Sequence, residues 1–287
     1  MRLRVICCLA TLGLVLLGAP AFGQEKEKAP APPVEAVKVP APQAELAKAP
    51  DVDPKQVLRR MCDYLKSLQE FSFKGEVTDD HTYSAGNKLQ FAFGLEGYIK
   101  RPDKVRLNAK GDLQNKEFFY DGKAITIYDT VKKVYATAAM PPTIDEALAK
   151  VNSDYGIRLI VSDLAKTNLF ESITAGVEDQ VYVGEGMVFG VKCQHLAFDK
   201  GKIVVQLWVE ASDKPVLRKA VVTYKEVDFS PQWTLYLTDW NVSPQLADNM
   251  FAFTPPQGAE KIDFKAVTKA EAPKRGKGQP KKKGGQS

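Results

Sequence analysis

From Phe71 to Trp240 apolar and polar positions mostly alternate with a period of two, the spacing of strands that bury one face and wet the other. The first runs are FSFKGEVT, LQFAFGLEGYI, KVRLNAKGD, EFFYDG, KAITIYD and KVYATA, separated by Asp/Gly, Arg-Pro-Asp and Asn-Lys turn signals. Four more, GVKCQHLAF, KIVVQLWVE, PVLRKAVVTYKEV and QWTLYLTDW, fill Gly190 to Trp240. Between them stand Asp199-Lys200-Gly201, Ser212-Asp213-Lys214-Pro215 and Phe229-Ser230-Pro231, connections too short for parallel crossovers. An antiparallel meander follows. In the second run Leu89, Phe91, Phe93 and Leu95 share a face, with Gln90, Ala92, Gly94 and Glu96 on the other.

Two stretches break this period. Asp53 is an N-cap, Pro54 suits the first helical position and Gln56 completes an approximate capping box. Val57, Leu58, Met61, Cys62, Leu65 and Leu68 then recur at three and four, one apolar stripe with Arg59, Arg60, Asp63 and Lys66 on the wet side. Pro141-Pro142 ends the first group of strands, and Thr143 with Glu146 boxes a short helix, TIDEALAKV. Ser162 is expected to cap another, SDLAKTNLF, with NSDYGIRLIV between them as a loop or lid. The pattern predicts a mainly β, α+β domain: a strongly curved antiparallel sheet of about ten or eleven strands, an open, unclosed barrel with an N-terminal helix and a helical lid insertion on its concave side.

Composition adds compartment and appendages. The chain has 287 residues, 44% hydrophobic and 26% charged, ordinary for one globular domain with extensions. Residues 1–23 open with Arg2 and Arg4, run apolar from Val5 to Leu17 and end at Ala21-Phe22-Gly23, the layout of a secretory signal cleaved near Gly23/Gln24. The run is short for a membrane span and is followed by Gly18 and Pro20; an uncleaved anchor is the alternative. Cys7 and Cys8 precede most of the apolar run, where a lipobox cannot place an acylated cysteine, so a non-lipidated periplasmic protein is expected. Residues 24–53 read as a disordered Pro/Ala-rich linker, or a spacer, and residues 54–264 as the domain. Residues 265–287 carry eight Lys/Arg against Glu271, a disordered basic tail. Net charge is +5, but the signal holds +2 and the tail +7, leaving residues 24–264 at −4. The tail is a solubilising end, or a dock for anionic membrane or cell-wall polymer. No nucleic acid partner is expected after export, and the protein is expected to be monomeric.

Candidate chemistry is sparse. His81 and His195 are the only histidines, and no Cys/His cluster has metal-ligand spacing, so neither metal nor cofactor is expected. His195, among apolar residues on a strand, is expected to be structural, and Asp79-Asp80-His81 a turn. Ser84, Ser153 and Ser162 lack a nucleophile elbow. Gly184-x-Gly186 leads into Met-Val-Phe-Gly rather than a helix, and Tyr120-Asp121-Gly122 reads as a hairpin, so the chain is not expected to be an enzyme. What remains is apolar surface: Phe91, Phe93, Leu95, Trp208 and Trp233 are the bulky candidates for the concave face. They are either core beneath the helices or the lining of a cavity for an acyl chain or similar apolar ligand. Cys62 and Cys193, an even number in an oxidising compartment, are expected to form a disulfide tying the first helix to the meander; two separate buried thiols are the alternative.

Several runs also carry a resemblance: Arg101-Pro102-Asp103-Lys104, Phe119 to Lys123, Tyr135-Ala136-Thr137, Pro142 to Asp145, Cys193 to Phe198, Gln206-Leu207-Trp208, Pro215 with Arg218-Lys219, Asp239-Trp240-Asn241 and Pro255-Pro256 with Gly258-Ala259. In this order they resemble the exported bacterial family called domain of unknown function 2092, over roughly residues 54 to 264. That family is similar in outline to the periplasmic lipoprotein carriers LolA and LolB and to mycobacterial lipid-binding lipoproteins. The resemblance implies an unclosed barrel, lidded by helices, that binds or carries a hydrophobic ligand such as a lipid. The alternative is an envelope protein-interaction or sensor module on the same fold.

Overall fold

The structure is a computed structural model that describes residues 52–264 apart from 84–86, 114 and 158–159. The expected signal, nearly all of the linker and the basic tail lie outside the described residues. One sheet takes every strand. Its first six run from β1 (Glu70–Tyr83) and β2 (Asn87–Lys100) through β3 (Lys104–Gly111), β4 (Asn115–Tyr120) and β5 (Ala124–Asp129) to β6 (Val134–Ala139). The rest are β7 (Asp179–Val188), β8 (Val191–Asp199), β9 (Ile203–Glu210), β10 (Leu217–Tyr224), β11 (Gln232–Leu237) and β12 (Glu260–Lys261). Their order is β12-β6-β5-β4-β3-β2-β1-β11-β10-β9-β8-β7, which leaves β12 and β7 as unjoined edges. All neighbours are antiparallel except β12, which lies parallel to β6. The barrel is therefore open, as the alternation predicts.

The helices lie on the concave face because the alternation gives it the apolar residues. Phe71, Phe73 and Val77 of β1, Leu95 and Ile99 of β2, and Leu196 and Phe198 of β8 are buried there. α1 (Pro54–Ser67) starts where Asp53 accepts a hydrogen bond from the Lys55 amide at 2.9 Å, and buries Val57, Leu58, Met61 and Leu65. Each such side chain contributes roughly 1.5–3 kcal/mol. Arg101, between β2 and β3, donates to the carbonyls of Leu65 at 3.3 Å and Leu68 at 3.1 Å, and also to that of Ala165. It thus satisfies the last turn of α1 and fastens it to the insertion.

The insertion differs from the pattern in two places. α2 (Ile144–Tyr155) has the expected box, the Thr143 hydroxyl accepting from the Glu146 amide at 3.3 Å and donating to its carboxylate at 2.7 Å. It continues through Asn152, Ser153 and Asp154, expected as loop, because the Lys150–Asp154 pair at 2.5 Å holds another turn before Gly156 ends it at φ +64°. The helix expected over SDLAKTNLF is split into a 3-10 turn, Ile160–Ala165, and α3 (Leu169–Thr174). Ser162 is buried inside the 3-10 turn rather than capping a helix. At the break the Asp145 carboxylate takes the Thr167 amide at 3.0 Å and its hydroxyl at 3.1 Å.

Other differences concern strands. β1 runs straight through Asp79-Asp80-His81, expected as a turn, because every residue to Tyr83 pairs with β2. The sheet has twelve strands: β7 is interrupted by a register shift beside Gly184 at φ +128°, and β12 has only two residues, so neither shows a clean period. Cys62 and Cys193 are both free and buried, which corrects the expected disulfide. Cys62 faces the core from α1, whereas on β8 the alternation sends Leu196 and Phe198 inward and Cys193 to the opposite face, with His195. The sheet stands between the two sulfurs. Burial pushes the Cys62 thiol up to about 12 and raises that of Cys193 as well.

Two measurements check this arrangement. Protein lacking residues 1–23, unfolded without reductant, should show both Cys62 and Cys193 to a thiol reagent, and folded protein should react slowly at either. Gly97→Ala should lower stability to urea by about 1–3 kcal/mol, since a Cβ there would lie 2.2 Å from the Phe73 ring.

Candidate ligand cavity on the concave face

Antiparallel order places the β1–β2, β3–β4, β5–β6, β8–β9 and β10–β11 turns at one end of the sheet. The helices approach from elsewhere. α1 touches β7, β8 and β9, and α2 begins at the opposite end, its Ile144 amide donating to Pro102 O at 3.1 Å. Neither fills the concave face of β2–β6 near the hairpin end, and a cavity of about 740 Å³ remains there. Phe93 and Leu95 of β2, Leu107 of β3, Phe118 of β4 and Ile127 of β5 form its floor. Trp233 of β11 closes one side, Ile157 and Val161 of the insertion lie across it, and Ile262 and Phe264, which follow β12 beside β6, close the side opposite Trp233. Charged residues Asp79, Lys116, Asp129, Lys132 and Asp263 gather at the mouth. A second hollow, about 530 Å³, lies beneath β9–β11. The two share Ile157, Val161, Tyr224 and Trp233, so the insertion stands as a partition across one longer trough.

Three of the five aromatic and aliphatic candidates, Phe93, Leu95 and Trp233, meet in this cavity. Phe91 has the same facing but lies nearer the strand end, where the His81 ring meets it edge-on at 5.2 Å. Trp208 is a correction. Its neighbours Leu207 and Val209 point into the core, so the period of two turns Trp208 outward. There it stacks on His195 with ring centroids 3.9 Å apart and planes 13° apart, with the Lys219 ammonium 4.4 Å from its ring centre. Leu107, Phe118 and Ile127 were legible in the same alternation but lack the bulk of a tryptophan. Ile157 and Val161 carried no period at all.

The polar groups near the cavity serve the fold. Burial raises the Asp80 carboxyl, and hydrogen bonds from Lys88, the Gln232 amide and Gln90 more than offset it, leaving the group below its ordinary range. His81 lies 3.1 Å from Asp79. On the outer face burial pushes the His195 imidazole below its ordinary value, the bond to Gln206 at 3.1 Å opposing and Lys219 adding to the shift. Among the described residues no group of three or more His, Cys, Asp or Glu could hold a metal ion, and no helix is long and apolar enough to cross a membrane.

Residues 54–265 match the family described as predicted periplasmic protein, DUF2092. The chain belongs to this family. No curated protein matches it. Among solved structures the DUF2092 chain is similar to an uncharacterized conserved protein from Thermus thermophilus, at 10% identity and a TM-score of 0.42, over 73% of this chain and 98% of that one. Lipoprotein LppX from Mycobacterium tuberculosis is 13% identical, with a TM-score of 0.39, covering 68% and 98%. A LolA superfamily protein from Nitrosomonas europaea is 12% identical, with a TM-score of 0.33, covering 70% and 98%. At such values the likenesses carry nothing about a ligand.

The lowered His195 pKa has a sign that can be measured. The folded DUF2092 domain favours the neutral ring, so stability from this residue is present above the ordinary imidazole value and is lost as the pH falls through and below it. His195→Gln should flatten the acid limb of a stability-versus-pH curve between about pH 5 and 7.

Proposed function

We propose that this DUF2092 protein is an exported, non-enzymatic binder or carrier of a hydrophobic envelope molecule, a lipid or other acyl compound, with the cavity over β2–β5 as its site. The observation behind this reading is the hollow of about 740 Å³ left open between the sheet and its own helices. It lies in the range of small-molecule sites, about 300–1,000 Å³. Its floor is aliphatic and aromatic and its mouth is charged, which suits an amphiphile with its chain inside and its polar end at the rim. Each methylene taken from water into such a site contributes about 0.8 kcal/mol, and no hydrogen-bonding group on the floor demands a polar partner. In this reading the signal is removed near Gly23/Gln24, the mature chain is not lipidated, and the protein works as a periplasmic monomer.

A second reading, a protein-interaction module, draws on the outer face. Phe189, in the β7–β8 turn, is 72% exposed and lies 5.2 Å from Tyr236 in the same aromatic row as Trp208.

A fluorescent fatty-acid probe separates the two. Ala109→Trp projects an indole into the cavity and should weaken probe binding about tenfold or more with the thermal midpoint little changed. Trp208→Ala should leave it intact. Probe binding by neither the delipidated wild type nor its variants would remove the ligand reading.

A further inference from the structure

Around the mouth of the cavity the hairpin tips share a feature that the cavity does not require. Tyr83 and Leu89 flank the β1–β2 turn, Leu113 sits in the β3–β4 turn, Val131 in the β5–β6 turn and Phe229 in the β10–β11 turn. All are exposed, Val131 by 71% and Phe229 by 57%. They belong to one end of the molecule: the β10–β11 turn touches the β1–β2 hairpin, Thr82 donating to Asp228 O at 3.5 Å and the Gln232 amide to Asp80 at 3.2 Å. Exposed lysines Lys110, Lys132 and Lys133 stand beside the tips. Single exposed apolar residues are ordinary, but a set on neighbouring turns around a cavity mouth calls for a common partner.

We infer that this rim is a docking surface for an anionic phospholipid membrane, with the hairpin tips entering the interfacial layer and the cavity opening onto it. The tips supply apolar contact area without regard to headgroup. Charge preference needs a separate source, because Asp79, Asp80, Asp112, Asp129 and Asp263 stand at the same end as the lysines. Two of these acids face into the turns, Asp112 accepting the Ala92 amide at 2.9 Å and Asp129 the Lys132 amide at 2.9 Å. The stronger source is the sequence after Phe264. Phe264 lines the cavity, its ring 4.6 Å from that of Tyr155, and the next 23 residues carry eight Lys/Arg against one Glu. The last described residue thus tethers the basic sequence close to the cavity, within reach of the bilayer that the tips would enter. This inference takes its purpose, the passage of a ligand between bilayer and cavity, from the function proposed above, while its geometry stands without it.

The test is co-sedimentation of protein lacking residues 1–23 with vesicles of phosphatidylcholine alone or mixed with phosphatidylglycerol, at low and high salt. The triple variant Leu113→Ser/Val131→Ser/Phe229→Ser, all at exposed turn positions, should bind both vesicle types about tenfold or more weakly, with an unchanged thermal midpoint. Truncation after Phe264 should remove the phosphatidylglycerol preference and its salt sensitivity and leave the residual binding to phosphatidylcholine. Should the triple variant unsettle the fold, Val131→Glu alone carries the same expectation. Unchanged vesicle binding by the tip variants overturns the inference, as does wild-type protein that pellets with isolated cell-wall sacculi and not with vesicles. The fatty-acid probe keeps the two ideas apart. Vesicle binding without probe binding sinks the ligand reading alone, and probe binding without vesicle binding sinks this one.

Discussion

A twelve-stranded sheet has more inner face than the three α-helices of the described residues can cover, and that mismatch shapes everything else in the molecule. The apolar face of the sheet must leave water, and over β7–β9 α1 meets it with a stripe of Val57, Leu58, Met61 and Leu65. Arg101 then fixes the depth of that helix by taking up the carbonyls at its end and one from the insertion at once. Once α1 and α2 are held in this way, they cannot also reach the hairpin end of β2–β5. The trough left there is a product of element lengths rather than of any residue dedicated to a ligand.

Much of this was legible in the chain. A period of two fixes facing, so Phe93 and Leu95 arrive on the same wall as Leu107 and Phe118 once the hairpins close in register. The capping residues Asp53 and Thr143 mark two helix starts for a local reason that needs no tertiary information. What was lost obeys no short-range rule. Bulk marks Trp208 as a candidate for the concave face, although counting from Leu207 turns it out. The pairing of Cys62 with Cys193 rested on their number, and number says nothing about which side of a sheet each occupies. Ile157 and Val161 became cavity walls only through the path of the insertion, which depends on Asp145 gripping Thr167 across 22 positions of sequence.

The two faces of the sheet are treated unequally. Over β3–β6 the C-terminal segment crosses the outside, and Phe253 packs between Phe119, Tyr128 and Tyr135 at 5.0–5.6 Å. Over β8–β11 the row of His195, Trp208, Lys219 and Tyr236 has the Phe189 ring against Tyr236 at one end and no crossing segment among the described residues. These side chains cover one another instead, rings on rings and an ammonium over both aromatics, which lets a line of large side chains stay half exposed on the outer surface.

An open sheet must also manage its rims. On one side Glu260 and Lys261 lie along β6 and occupy part of its free backbone groups, the Glu260 amide donating to Lys133 O at 2.9 Å and that of Ile262 to Tyr135 O at 2.8 Å. On the other, no strand among the described residues pairs with the free side of β7, and the register shift at Gly184 spoils its straightness. The molecule thus guards itself against stacking into fibrils by a bolt on one border and a bend on the other, and the bolt is drawn from the same short segment that walls the end of the trough.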